Sequence, residues 1–323
     1  MTVGAVGSLE ESAPQQLVLG NALKFSFTGH QTFPFRYSWL PKGVEQVKTD
    51  PEIFFQDDAL VRLGVGKNMV NSIRFWCEAL ELISVDGRNR CAELLPLGEF
   101  LFGKAGAKRN GKDPYLEDPG TLWLLHWQLA SRPELASTWY LAFTRWNRNV
   151  FTRDQLVKWI LQVAQQSSAT RSSLGSIKRD VDVFLRTYIP ADEDRRRPLE
   201  DSFDCPLGEL GLIRKIDEGY FQFNQDPKPS LPVEIFAYAV VNFWNVAAPN
   251  QDSVNLERLL YDPGSPGGAF KLTDKSTVQL LEALPPEYGL RYDETAGLRV
   301  LVRTSQQVFE KPQKILIDYY QSR

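Results

Sequence analysis

The two histidines of the chain, His30 and His126, limit the chemistry available to it. His30 follows a glycine in a predicted loop with Arg36 nearby, so it is a candidate general base or phosphate contact. The alternative for His30 is a hydrogen-bonded hinge between the N-terminal tail and the body of the protein. His126 lies among Trp123 and Trp127, where a hydrogen-bonded core histidine is the more frequent situation. A site that requires two histidines would use both of them, which excludes most histidine-rich metal centres.

Three carboxylates cluster in the segment before His126. Asp113, Glu117 and Asp118 are hard oxygen ligands of the kind that Mg²⁺ or Mn²⁺ prefers. We therefore predict all three as divalent metal ligands and, together with His30, as the catalytic residues of a hydrolytic site. However, Asp118 also precedes Pro119 and an apolar stretch, which is the pattern of a helix N-cap with proline at the first helical position. Both interpretations are open from the sequence.

Side chains suited to phosphates and base edges recur along the chain. Lys67, Asn71 and Arg74 fall at i, i+4 and i+7 of a predicted helix, so they share the face opposite its apolar stripe. A predicted hairpin carrying Arg88 and Arg90 follows this helix. Side chains of these types contact phosphates and purine edges. The predicted DNA contacts are these five residues and four further cations: Arg36, Lys42, Arg179 and Arg186.

The glycine loop before this helix lacks the spacing of a nucleotide-binding loop. A Walker loop requires glycine at position 61 and serine or threonine at position 68, where this chain has Val61 and Asn68. A dinucleotide fingerprint would require glycine at the position of Met69. We therefore expect no nucleotide cofactor.

Three segments repeat the order helix, turn, helix, hairpin. The first spans residues 57–103, with a short helix, the glycine turn 64–66, a second helix and a hairpin turning at 86–89. The second has helices at 154–166 and 174–188 and a hairpin turning at 217–219. The third has helices near 256–260 and at 271–284 and a hairpin at 290–302. This order is typical of winged helix-turn-helix modules, so the predicted fold class is α+β, mostly helical, with serial modules of this type and short β-hairpins.

Length and composition allow two or three modules in a soluble globular chain. The chain has 323 residues, 43% hydrophobic and 24% charged, and domains typically contain about 100–150 residues. We predict a flexible tail (1–23), an N-terminal winged-helix-like DNA-binding module (24–130), a second helical or winged module (131–230) and a C-terminal winged-helix-like module (231–323). No apolar run approaches the roughly 20 residues that a membrane span needs, so a cytoplasmic location is expected.

The distribution of charge is more informative than the net charge of −3. Lysine and arginine outnumber aspartate and glutamate between Arg132 and Arg186, whereas the reverse holds between Ala191 and Asp226. A basic middle can give a nearly neutral molecule a positive face for phosphates. A solvated helix surface without a partner is the alternative.

Four runs of the sequence resemble a known bacterial family. They read FTGHQTFPFRYSWLPK (27–42), DDALVRLGVGKNMVNSIRFW (57–76), DPYLEDPGTLWLLHWQLA (113–130) and LERLLYDPGSPGGAFKL (256–272). They are similar to a bacterial domain of formerly unknown function that occurs in gene clusters for DNA phosphorothioation and phage defence. The resemblance covers the chain from about residue 24 onward.

The resemblance implies a function rather than a set of catalytic residues. It implies a protein that opens or nicks double-stranded DNA so that sulfur can replace a non-bridging phosphate oxygen. It also implies partners from the same system, namely a cysteine desulfurase, an ATPase and a sulfur-transfer protein. With the residue patterns above, we expect a homodimeric nicking endonuclease that depends on a divalent metal. The alternative is a non-enzymatic DNA-binding adaptor or regulator.

Overall fold

A computed structural model describes residues 23–103, 111–167, 170, 172–189, 205–295 and 297–323. The predicted flexible tail lies outside the described residues except for Leu23. Helices dominate the described ranges, and the strands are short, which confirms the predicted α+β, mostly helical class. The α-helices are α1 (Trp39–Thr49), α2 (Ala59–Leu63), α3 (Lys67–Ala79), α4 (Pro96–Phe102), α5 (Pro119–Ala130), α6 (Ser137–Tyr140), α7 (Arg153–Gln166), α8 (Leu174–Tyr188), α9 (Val233–Ala247), α10 (Leu256–Tyr261), α11 (Pro266–Phe270), α12 (Asp274–Glu282), α13 (Gln307–Glu310) and α14 (Gln313–Gln321).

Eight strands form three small antiparallel sheets in the described residues. The strands are β1 (Ile83–Asp86), β2 (Cys91–Leu94), β3 (Val150–Thr152), β4 (Ile213–Asp217), β5 (Tyr220–Phe223), β6 (Ser253–Asn255), β7 (Leu290–Thr295) and β8 (Leu298–Arg303). The first pair is a hairpin, β1–β2. The other two sheets have the orders β3-β5-β4 and β6-β8-β7, so in each the strand that precedes the helices pairs with the last strand of the hairpin. The three predicted hairpins are therefore confirmed, whereas the winged-helix assignment stays a prediction.

A single hydrophobic core runs through all three repeated segments, from Phe25 to Tyr320. At its centre lies α5, in which every residue from Gly120 to Ala130 is buried. This helix belongs to the predicted N-terminal module (24–130) and contacts α6, α9 and α11, which lie in the predicted second and third modules. α5 therefore connects elements of all three predicted modules.

One predicted helix boundary is wrong. The sequence predicts a rigid turn at 263–268 before a helix starting at Lys271, but Pro266–Phe270 forms α11 and the next helix begins at Asp274. Ser265 caps α11 by accepting a hydrogen bond from the N–H of Gly268. Lys271 lies between the two helices in the left-handed conformation, with φ +51°.

Four further helical segments in the described residues are not α-helical. Three are 3₁₀ turns, Ile53–Phe55, Pro206–Leu210 and Pro286–Tyr288, and Leu141–Arg145 forms a π-helix that continues α6. π-Helical turns occur frequently at functional sites. Across the described ranges, every helix is too short or too polar to serve as a membrane span.

Candidate nucleic-acid interface

Two of the predicted DNA contacts lie against the same phenylalanine ring. The guanidinium carbon of Arg74, on α3, is 5.4 Å from the centroid of the Phe55 ring, and that of Arg90, on the β1–β2 hairpin, is 5.8 Å from it. Arg90 Nη2 also donates a hydrogen bond to the carbonyl oxygen of Phe55 at 2.5 Å. A ring face attracts guanidinium groups, so Phe55 holds two like charges from different elements close to one another. We call the residues Phe55, Lys67, Asn71, Arg74, Arg88 and Arg90 the α3–hairpin surface.

The local sequence explains how α3 and the hairpin are placed. Gly64 ends α2 in the left-handed conformation, with φ +65°, and Gly66 is the N-cap of α3. At the other side, the Asp86 carboxylate accepts hydrogen bonds from the backbone N–H groups of Asn89 and Arg88, which lower the pKa of Asp86. These contacts fix the hairpin turn, with the side chain of Arg88 exposed.

The remaining residues of this surface lie along α3 as the periodicity predicts. Lys67 is exposed in the first turn, and Asn71 and Arg74 are half-buried further along the same face. Glu78 follows Arg74 by one turn, and burial raises the pKa of Glu78 while Arg74 opposes that change. The α3–hairpin surface therefore carries four cations, with the carboxylates of Glu78 and Asp86 nearby.

Four other predicted DNA contacts lie on α1, its preceding loop and α8. Arg36 stacks over the ring of Trp39, with 5.3 Å between the guanidinium carbon and the centroid. Lys42 is exposed, with Nζ 3.4 Å from the carbonyl oxygen of Leu63. On α8, Arg179 and Arg186 are both exposed. Nη2 of the latter donates to the carbonyl oxygen of Thr32 at 2.6 Å, which links α8 to the loop that carries His30.

His30 is buried, with only 1% of its surface exposed. Its Nδ1 accepts a hydrogen bond from the N–H of Thr32, so Nε2 carries the proton and donates to Asp180 Oδ1 at 2.6 Å. The backbone N–H of Thr28 donates to the same carboxylate oxygen. His30 therefore ties its loop to α8. These surroundings match the alternative of a hydrogen-bonded structural histidine and give no support to a catalytic role.

The acidic cluster is engaged by the backbone. Asp113 is 5% exposed, and its two carboxylate oxygens accept hydrogen bonds from the N–H groups of Glu117 (2.9 Å) and Asp118 (3.1 Å). Glu117 itself is exposed. Asp113 therefore stabilises the turn that leads into α5.

Asp118 is the N-cap of α5, as the second interpretation predicts. Its Oδ1 accepts hydrogen bonds from the N–H of Gly120 at 2.7 Å and from the hydroxyl of Tyr319 at 2.6 Å. Its Oδ2 lies 3.3 Å from Arg323 Nη1. The C-terminal helix α14 thus contacts the first turn of α5, and burial together with Asp118 raises the pKa of Tyr319.

The predicted set of metal ligands does not fit a metal ion in this arrangement. Asp113 and Asp118 use their carboxylate oxygens for the contacts just described. In the ranges that the structure covers, no three His, Cys, Asp or Glu side chains are grouped so that they could hold a metal. We therefore assign no metal ligands among the described residues.

His126 is a fully buried core histidine, as predicted. Nε2 donates to the carbonyl oxygen of Ala269 and Nδ1 accepts from the hydroxyl of Tyr188, both at 2.8 Å. Burial, with a smaller effect of the nearby Lys271, lowers the pKa of His126 to about 4. His126 is therefore neutral at physiological pH.

Sequence reasoning missed Lys271 and Phe55. Lys271 is buried, and its Nζ donates to the carbonyl oxygen of Phe143 at 2.6 Å and lies 4.0 Å from the centroid of the Phe223 ring. Burial lowers the pKa of Lys271 to about 7. The only sequence signal for Lys271 is its place after the glycine-rich run 264–268. For Phe55, no pattern indicates that two arginines would meet at its ring.

These features define a helical α+β protein with a basic surface formed by a helix and a hairpin. The chain belongs to the family described as "Protein of unknown function (DUF4007)", whose model matches residues 27–320. It is similar to SspB: a crystal structure of SspB has 35% sequence identity and a TM-score of 0.81, and the match covers 93% of this chain and 90% of that chain. A magnesium-ion-bound crystal structure of SspB has 34% identity and a TM-score of 0.82 with the same coverage. No curated protein matches the chain.

Proposed function

We propose that this protein binds double-stranded DNA as a component of a bacterial DNA phosphorothioation and phage-defence system. The observation that carries the proposal is the convergence of Arg74 and Arg90 on the ring of Phe55. Guanidinium groups recognise phosphates through paired hydrogen bonds, and two of them from separate elements can hold adjacent parts of a DNA backbone. The similarity to SspB supports the choice of system.

The α3–hairpin surface suggests a division of roles. Lys67, at the start of α3, and Arg88, at the exposed hairpin turn, are proposed to contact phosphates with Arg74 and Arg90. Asn71 lies between Lys67 and Arg74 on the helix face, where an amide can read the edge of an adenine. The cations on α1 and α8 would extend the contact along the backbone. This arrangement corresponds to a helix in the major groove flanked by a hairpin.

A salt titration tests this surface. We expect Arg74→Gln and Arg90→Gln each to weaken binding of a labelled duplex. Each should also reduce the slope of log affinity against log salt by about 0.9 for every phosphate that the variant no longer neutralises. Fluorescence anisotropy at several salt concentrations measures both quantities. The matched control is Arg291→Gln, since Arg291 is an exposed arginine on β7 with only a 4.0 Å contact to Asp293. Equal slopes in all the variants would remove the α3–hairpin surface from the interface.

We further propose that the protein nicks one strand of the DNA so that sulfur can be incorporated. In this proposal it acts in the cytoplasm as a homodimer, together with the sulfur-transfer proteins of the same system. The proposed requirement for Mg²⁺ or Mn²⁺ rests on the magnesium-ion-bound form of SspB and not on any ligand set in this chain. Supercoiled plasmid incubated with the protein should become open-circular with Mg²⁺ or Mn²⁺, and should stay supercoiled with EDTA.

The second candidate is a DNA-binding adaptor without nuclease activity. It is favoured by the engagement of Asp113 and Asp118 in structural hydrogen bonds, because these two predicted ligands are then occupied within the described residues. A mobility shift of the plasmid without open circles, under every metal condition, would establish the adaptor. Open circles that persist in the Asp113→Asn variant would show that nicking uses other residues.

A further inference from the structure

Positive charge without a matching carboxylate is concentrated at the end of the π-helix. Arg145 is the last residue of this helix, and Arg148 follows in the loop to β3. In the part of the chain that the structure describes, these two cations lie over the rings of Tyr140 and Trp146 and form no ion pair with a carboxylate. Uncompensated cations attract anions from solution.

Polar atoms without hydrogen-bond partners occur in the same loop. Arg145 Nε, Trp146 Nε1 and Asn149 Oδ1 are all buried and make no hydrogen bond within the described residues. Trp146 as a whole is only 7% exposed. Buried polar groups in proteins are nearly always satisfied, so three such atoms within five consecutive residues indicate that a group other than the described residues completes them. Two of the three are N–H donors, which require an acceptor.

The loop 145–149 is anchored to β5 by a backbone hydrogen bond, and the side chain of Arg148 covers its tryptophan, Trp146. The carbonyl oxygen of Asn149 accepts a hydrogen bond from the N–H of Phe223 at 3.0 Å, which anchors the loop to β5. The exposed side chain of Arg148 lies over the ring of Trp146, with 5.8 Å between the guanidinium carbon and the centroid. Arg148 is therefore one of the groups that cover Trp146, and a long exposed side chain can change rotamer readily.

We infer that the loop 145–149 binds a phosphate group. The guanidinium groups of Arg145 and Arg148 hold the oxyanion, and Arg148 moves off the indole so that Trp146 Nε1 donates to a phosphate oxygen. Charge-assisted hydrogen bonds of this kind are stronger than neutral ones. The phosphate belongs either to a nucleic-acid backbone or to a small phosphate compound, and the chemistry of recognition is the same for both.

This site uses different residues from the α3–hairpin surface, and it does not rest on DNA nicking. Its residues follow α6, whereas the α3–hairpin surface is built from residues 55–90. An experiment can therefore refute the proposed phosphate site and leave the proposed duplex-binding surface standing, or the reverse. Loss of duplex binding in Arg74→Gln, for example, leaves the response of Trp146 to a small phosphate unchanged.

The indole N–H of Trp146 provides a direct readout. The chain has eight tryptophans, so the indole region of a ¹H–¹⁵N spectrum is simple, and the Trp146 signal is identified by its loss in Trp146→Phe. Two titrations are run at constant ionic strength, one with sodium pyrophosphate and one with a short DNA duplex. The Trp146 signal should shift, and Arg145→Gln or Arg148→Gln should weaken the response roughly tenfold. The control Lys158→Gln removes one exposed charge from the neighbouring helix α7 and should behave as the wild type.

The outcomes separate the two sources of phosphate. A shift with pyrophosphate and no shift with the duplex supports a small phosphate ligand, whereas a shift with the duplex alone, or with both, supports a nucleic-acid backbone. If the Trp146 signal moves with neither, or moves equally in Arg145→Gln, Arg148→Gln and Lys158→Gln, the loop is not a phosphate site.

Discussion

The buried Lys271 makes a specific prediction about how stability depends on pH. Its pKa is about 7 in the folded protein, against an ordinary value of 10.5, and burial is the cause. Between these two values the unfolded chain holds a proton on Lys271 that the folded chain lacks. Unfolding therefore takes up a proton, so raising the pH from 7 toward 10.5 stabilises the folded state, and this stabilisation is lost as the pH falls through 7.

The size of the effect follows from the pKa difference. One pKa unit corresponds to about 1.4 kcal/mol, so between pH 7 and pH 9 Lys271 should contribute an increase of roughly 2 kcal/mol to the free energy of unfolding. Cysteine and tyrosine also titrate toward the upper end of this range. We therefore compare the wild type with Lys271→Met, in which all other groups are retained and their effects cancel in the difference.

Urea unfolding at pH 7 and pH 9 measures the effect. The wild type should gain about 2 kcal/mol more than Lys271→Met between the two conditions. The control is Lys275→Met, because Lys275 is an exposed lysine in the first turn of α12, and it should follow the wild type. The prediction would be refuted if the wild type and Lys271→Met differed in free energy of unfolding by the same amount at both pH values. Lys271 would then keep the same protonation state on unfolding.

Three substitutions test the structural assignments, each by urea unfolding. Asp118→Ala should cost about 1–2 kcal/mol as the loss of an N-cap, and an unchanged stability would contradict the capping role. Gly98→Ala should cost about 1–3 kcal/mol, because an added Cβ would lie 2.2 Å from the carbonyl oxygen of Leu82; a neutral effect would mean that this backbone contact is loose. His30→Gln should cost about 1–3 kcal/mol by disturbing the buried hydrogen bond from the imidazole to the Asp180 carboxylate, and a cost below about 0.5 kcal/mol would show that this hydrogen bond contributes little.

Elements with local signals can be predicted from the sequence. The helix predicted at 174–188 has the same bounds in the structure, because its apolar stripe is regular and Ser173 supplies a side-chain cap. In contrast, α11 is not predicted from the sequence, because Pro266 and two glycines have low helix propensity. That helix forms through the Ser265 cap and through burial, neither of which is visible in local propensity.

The candidate site is predictable only where it depends on a single helix. The shared face of Lys67, Asn71 and Arg74 follows from helical periodicity, and the structure places them accordingly. The meeting of Arg74 and Arg90 at Phe55 depends on the packing of three separate elements. Likewise, the contact of Asp118 with Tyr319 joins residues 201 positions apart, so the sequence leaves both interpretations of Asp118 open.

The complete burial of α5 has a consequence for how DNA could be read. This helix belongs to the first predicted module and is packed against elements of the other two, so the described parts of the three modules share one core. Cations on α3 and on α8 are then held at a fixed separation, and a duplex touching both would have to match that spacing. In such a case the protein would present its cations at one fixed spacing, and the DNA would have to bend or kink to match that spacing.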